Sequence, residues 1–136
     1  MKVAYLVLTA ILFGSVTTAN ARPYPDKAGV CITFKGDTVL TKDVCVVSPS
    51  EGAGGKTTIL KTFDKSYRVE AEERSDPKSD ELNDVFKFTV NGEVAEGEYY
   101  RNASFYHIGD IRTFIELEED YLYCYKTKSV DICHSY

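Results

Sequence analysis

Short runs of β-branched and aromatic residues, broken by turn residues, recur along this chain, and no helical apolar period is sustained in it. That pattern predicts strands. The first run, residues 30–34, meets Lys35-Gly36-Asp37 and continues into residues 38–47, where Val39 and Thr41 alternate with Leu40 and Lys42. This reads as a hairpin. Residues 48–55, with their serines, glycines and Pro49, read as a flexible loop, because such residues favour irregular backbone over a ladder. Residues 57–63 and 67–72 form a second hairpin around Asp64-Lys65-Ser66. The acidic, apolar-poor stretch 72–84 reads as a solvated loop.

The clearest local signal is residues 85–90, then Asn91-Gly92, then residues 93–96. Asn-Gly between alternating runs predicts a type I′ turn, whose two central residues both need positive φ. Residues 111–117 read as a further strand, and residues 121–125 with 130–134 as a closing hairpin. Residues 98–108 fit either a strand or a short helix covering a barrel end. The sum is about eight short strands with short connections, an all-β domain arranged as an antiparallel barrel or sandwich.

The beginning of the chain departs from this pattern. Residues 1–21 join a positive Lys2, an apolar stretch over 3–13 and the small-x-small sequence Ala19-Asn20-Ala21, which predicts a signal peptide cut before Arg22. Polar Thr17 and Thr18, then Asn20, Arg22, Pro23 and Pro25, end the apolar stretch short of the roughly 20 residues that span a bilayer. The expectation is one exported β domain over residues 22–136, secreted or periplasmic, with no membrane anchor after cleavage. No cysteine follows the apolar stretch closely enough for a lipid anchor.

Export turns Cys31, Cys45, Cys124 and Cys133 into disulfide candidates. Local pairing, Cys31 with Cys45 and Cys124 with Cys133, is preferred. Setting Cys124 opposite Cys133 leaves Lys128-Ser129 as a two-residue loop, and directly opposed strand residues lie within disulfide reach. A two-residue loop at Gly36-Asp37 would instead set Cys31 opposite Lys42. That first pairing needs a longer loop, a bulge or a non-hairpin geometry. With no Cys-x-x-Cys, and with His134 lacking a partner at finger spacing, no metal is expected.

A net charge of −5 argues against binding nucleic acid or anionic membranes through a basic field. Aromatic character rests on ten tyrosines and seven phenylalanines with no tryptophan. Tyr121, Tyr123 and Tyr125 alternate, so a strand there puts all three on one face and Leu122 with Cys124 on the other. Together with Tyr99, Tyr100 and Tyr106 they are the expected binding face, since tyrosine offers large contact area at low entropic cost. The implied partner is a protein. The competing reading has one set of aromatics filling the sheet interior and the other covering its outside.

No catalytic residue and no cofactor is assigned. Residues 52–57 match a phosphate loop only in part, since its first glycine position is Ser50. No Gly-x-Ser-x-Gly is present. His107, Glu96 or Glu98, and Arg101 could serve as the acid, base and cation of a secreted ribonuclease only if the fold brings them together. Glu116, Glu118, Glu119 and Asp120 lack the ligand spacing of a calcium loop. Asn102-Ala103-Ser104 is an N-glycosylation acceptor in a eukaryotic host.

The order Cys31, Gly36, Cys45, Gly54-Gly55, Tyr67, Val90-Asn91-Gly92, Gly97, Gly109, Cys124-Tyr125 and Cys133 is similar to that of a loose group of small exported bacterial proteins. These carry an early cysteine hairpin, a central Gly-Gly and a late Cys-aromatic hairpin. The resemblance spans most of the chain after residue 21 and implies an exported, disulfide-bonded β domain with no activity attached. The architecture also resembles small periplasmic lysozyme inhibitors, although their inhibitory motif has no counterpart here. The expected function is therefore non-enzymatic binding, as an inhibitor of a secreted or host hydrolase such as a lysozyme or protease. The alternatives are a small secreted hydrolase such as a ribonuclease, or a host-directed effector.

Overall fold

The alternating run after residue 27 folds as the first hairpin of a computed structural model that describes residues 22–109 and 112–135. The expected leader lies outside these residues. Strand β1 (Arg22–Pro23) adds to the far end of β3 (Thr38–Gly52), which pairs along its first part with β2 (Lys27–Lys35). The chain continues as β4 (Gly55–Lys61), β5 (Ser66–Glu73), helix α1 (Leu82–Val85), β6 (Phe86–Val90), β7 (Glu93–Val94), β8 (Glu98–Asn102) and β9 (His107–Ile108). Helix α2 (Arg112–Glu116), β10 (Tyr121–Lys126) and β11 (Asp131–His134) complete it. The strands form one antiparallel sheet in the order β7-β6-β5-β4-β3-β2-β11-β10-β8-β9, with β1 beside β3. It curls into an open half-barrel.

Both disulfides are local, and register explains each. Cys124 directly faces Cys133 with Cα atoms 4.0 Å apart, and the Thr127 N–H donates to the Val130 carbonyl. Lys128-Ser129 is thus the two-residue loop. In the first hairpin Thr33 faces Thr41 but Phe34 faces Val39, so Leu40 is the extra residue of a β-bulge. The bulge shifts the register by one and sets Cys31 opposite Asp43. Because side chains alternate, Cys45 then shares a face with Cys31, and the two bond diagonally with Cα atoms 5.8 Å apart.

Two expected elements differ in the structure, and a third, open in the sequence, is decided. Residues 48–55 are the far half of a long β3–β4 hairpin turning at Ala53-Gly54, with Gly54 at φ +85°. Pro49 is accommodated because its carbonyl, and therefore the side where its missing N–H would point, faces Tyr24 and not β4. Part of 111–117 is helix α2, with Ile115 and Leu117 exposed; Ile111 lies outside the described residues. A helical turn closes its hydrogen bonds locally, whereas a strand here would need a free edge, and β10 already has β8 and β11 on its two sides. Residues 98–108, open between strand and helix, form the β8–β9 hairpin. The Asn91-Gly92 turn has both residues at positive φ, 51° and 80°, as the sequence predicts.

Curling buries both faces of the sheet's middle. The inner face gathers Cys31, Cys45, Val47, Leu60, Val69, Phe88, Val90, Tyr125 and Ile132. Leu60 and Ile132 are wholly buried, each side chain contributing about 1.5–3 kcal/mol by removal from water. The outer face packs Ile32, Phe34, Leu122, Cys124 and Cys133 under Tyr99 and Phe105. Phe88 of β6 meets Tyr125 of β10 at 5.7 Å, although β5, β4, β3, β2 and β11 lie between them in the sheet.

Polar stitches hold the curl. The Glu96 N–H donates to the Lys126 carbonyl, and Ser129 donates its N–H and hydroxyl to the Glu93 carboxylate at 2.9 and 2.7 Å. Asn83 of α1 acts like a strand residue toward β8: its amide donates to the Glu98 carbonyl and accepts the Glu98 N–H. Gly97 makes this possible. It has φ +148°, and a Cβ there would lie 2.8 Å from the Asn83 amide. Gly97→Ala is therefore expected to cost about 1–3 kcal/mol in chemical denaturation. It should also speed proteolytic nicking within residues 74–81, the exposed segment that Asn83 helps to anchor.

Candidate binding site

The inner wall of the half-barrel carries an aromatic row whose placement follows from register. Alternation along β10 turns Tyr121, Tyr123 and Tyr125 inward and Leu122 and Cys124 outward. The β8–β10 pairing sets Tyr100 opposite Tyr123 and Glu98 opposite Tyr125, and the β10–β11 pairing sets His134 opposite Tyr123. Tyr100 packs edge-on against Tyr121 and Tyr123, each at 5.9 Å. His134 stacks with Tyr123 at 5.4 Å and with Tyr125 at 6.2 Å. From the other wall come Phe88 and, 6.3 Å from it, Phe86. A cavity of about 290 Å³ lies between, lined by Lys56, Phe86, Phe88, Glu98, Tyr123, Tyr125 and His134 among others.

Glu98 is the acidic member of this wall. One carboxylate oxygen accepts the Tyr100 hydroxyl at 2.6 Å and the other the Tyr125 hydroxyl at 2.5 Å. Burial, followed by the bond to Glu98, pushes the Tyr100 phenol well above the usual tyrosine range. His134 is neutral at pH 7. Burial pulls its pKa down to about 4, opposed by a backbone hydrogen bond at Ser135. Lys56 is exposed and pairs with Glu51 at 3.1 Å.

Of the six tyrosines expected to form the binding face, Tyr100, Tyr121, Tyr123 and Tyr125 converge here. Tyr99 does not. It lies one residue out of phase, on the outer face, where it stacks with His107 at 5.1 Å and donates its hydroxyl to Asp131. Tyr106 projects from the β8–β9 turn, 73% exposed. In the same turn Asn102, the glycosylation acceptor, takes the N–H groups of Ser104 and Tyr106 on its side-chain oxygen. Sequence reading missed Phe86 and Phe88 as members of the wall. Their alternation marks them as inward-facing, but nothing local says which strand they meet.

A second cavity, of about 330 Å³, opens beside β8 and gathers Glu96, Glu98, Tyr99, Arg101, His107 and Asp131. It therefore brings together the residues named for acid-base work, but Arg101 already makes four hydrogen bonds inside the protein. Its Nε donates to the Tyr99 hydroxyl at 3.2 Å, Nη1 to the Phe105 carbonyl and Asp37, and Nη2 to the Gly36 carbonyl, with Asp131 at 3.7 Å. Phe34 lies under the guanidinium at 4.1 Å. The group that a phosphate substrate would need is thus a fastener between β8, β11 and the β2–β3 turn. Residues 52–57, which match a phosphate loop in part, are the β3–β4 turn.

Fold and site together define a disulfide-bonded, all-β half-barrel with an aromatic inner cleft and one acidic side chain in its wall. The two disulfides are compatible with an oxidising extracellular or periplasmic location. No family model, curated protein or solved structure matches the chain.

Proposed function

We propose that this is an exported, non-enzymatic binding protein that engages a protein partner through its inner cleft, acting as an inhibitor of a secreted or host hydrolase. The observation that carries the reading is that Tyr123, Tyr125, Phe86 and Phe88 line one concavity, with Tyr100 packed edge-on against Tyr123, while Arg101 is held inside the protein by the Tyr99 hydroxyl, Asp37 and the Phe105 and Gly36 carbonyls. Tyrosine-rich concave surfaces suit protein recognition because rigid rings bury area at low entropic cost. Export belongs to the same reading: residues 1–21 have the makeup of a cleaved signal peptide. The net charge of −5 favours a cationic target through faster, steered encounter.

Pull-down and inhibition assays against lysozymes and proteases test this. A micromolar or tighter interaction is expected, weakened about tenfold or more by Tyr123→Ala. No interaction at micromolar concentration with any of these enzymes would remove the inhibitor assignment. A hydrolase of ribonuclease type is the second reading, favoured by the shared cavity of His107, Glu96 and Glu98. It requires turnover that His107→Ala abolishes with the fold intact. A host-directed effector differs in the source of the partner recovered.

A further inference from the structure

The inner cleft holds one carboxylate, Glu98, that forms no ion pair among the described residues, although Lys56 lines the same cavity. Among the described residues no cationic side chain pairs with Glu98; the ion pairs present are those of Lys56, Arg68 and Arg101 with other carboxylates. Its two hydrogen-bond partners are phenols, which orient it without neutralising it. A carboxylate has about four acceptor positions, so one donor per oxygen leaves capacity on both. Around it stand the rings of Tyr125, Tyr123, Phe88 and Phe86, whose faces attract cations. Neutral His134 adds no positive charge, and the Lys56 ammonium is drawn to Glu51.

A half-buried carboxylate among aromatic rings is costly unless a cation answers it. Resting on the reading of this cleft as the binding face, we infer that it accepts a lysine side chain projecting from the protein partner. The alkyl stem of lysine packs along the rings, and its ammonium has three rotatable donors that can reach the remaining acceptor positions of Glu98. A planar guanidinium fits less well, because its fork needs both oxygens presented edge-on and each already holds a phenol.

The test uses the wild-type exported chain, disulfides intact, titrated by NMR with Nα-acetyl-lysine methylamide and its uncharged isostere Nα-acetyl-norleucine methylamide. The lysine probe is expected to bind at least about tenfold more tightly, to shift the Tyr123 and Tyr125 resonances, and to weaken as salt is added. Equal binding of the two probes, or no lysine binding at about 10 mM, overturns the inference. Tighter binding of tetramethylammonium than of the lysine probe also overturns it, since that cation makes no hydrogen bond to Glu98 and would mark a site for free organic cations. Glu98→Gln should abolish the preference while near-ultraviolet circular dichroism stays unchanged. If the lysine preference fails while partner capture still depends on Tyr123, the inference falls and the binding face stands. If capture fails as well, both fall.

Discussion

Replacing Arg101 by alanine is expected to destabilise the protein by about 3–5 kcal/mol and to lower its Tm by more than about 10 °C. Arg101 is 4% exposed and the Asp131 it faces is 7% exposed, so removing the guanidinium leaves a buried carboxylate without its cation. Its hydrogen bonds to the Gly36 and Phe105 carbonyls would also be lost, releasing the β2–β3 turn and the β8–β9 turn together. Asp37 contributes little to this cost because it is almost fully solvated. Burial works against the charge, but the Tyr99 hydroxyl, Asp37 and Asp131 outweigh it and raise the Arg101 pKa. Asp131 also holds the Tyr99 hydroxyl, and burial with that bond drives the Tyr99 phenol upward.

Urea denaturation of Arg101→Ala beside Arg101→Met with Asp131→Asn checks the argument. The double variant removes both charges and fills the site, so it should recover a large part of the loss. Equal destabilisation of the two variants would mean that the hydrogen bonds, and not the stranded charge, dominate.

Acidification gives the second large effect. His134 has a pKa of about 4 in the folded chain against 6.5 for the free side chain, so the unfolded chain binds the proton more readily. The sign follows: the stability contributed by neutral His134 is fully present above pH 6.5 and is lost as pH falls toward 4. Between pH 7.5 and 5 the loss should be about 2 kcal/mol. Glu93 does not interfere in that window. Hydrogen bonds from Thr127 and Ser129 hold its pKa at about 2 against 4.5, so its contribution disappears only as pH falls from 4.5 toward 2. Unfolding free energies measured across pH 5 to 7.5 should slope for the wild type and flatten for His134→Phe, which keeps a ring between Tyr123 and Tyr125. A variant slope equal to that of the wild type would move the titrating group elsewhere.

Legibility tracked the range of the interactions involved. The Asn91-Gly92 turn and the Cys124 to Cys133 register follow from residues within one hairpin, and period-two alternation sorted Tyr121, Tyr123 and Tyr125 from Leu122 and Cys124. Residues 111–117 read as a strand from their β-branched and aromatic content, yet part of that stretch is helix; Ile111, Phe114 and Ile115 are spaced three and four apart in sequence, a helical period too short to stand out from the strand runs around it. Tyr99 was grouped with Tyr100 as a neighbour in sequence. One position on a strand is enough to put it on the opposite face.

By itself the sequence determined the all-β character, the closing hairpin with its disulfide, the shared face of Tyr121, Tyr123 and Tyr125, and a cysteine spacing that demanded something other than a regular two-residue hairpin at Cys31 and Cys45. Only the tertiary structure decided that a bulge at Leu40 meets that demand and that the sheet curls until Phe88 touches Tyr125. It also showed that Arg101 is a fastener and that Glu98 lies in an aromatic cleft with no ion pair to any described cation. The physical reason is that turns and alternation are written in a few consecutive residues. Curvature and charge pairing depend instead on groups far apart in the chain, whose meeting is set by the register of every strand between them.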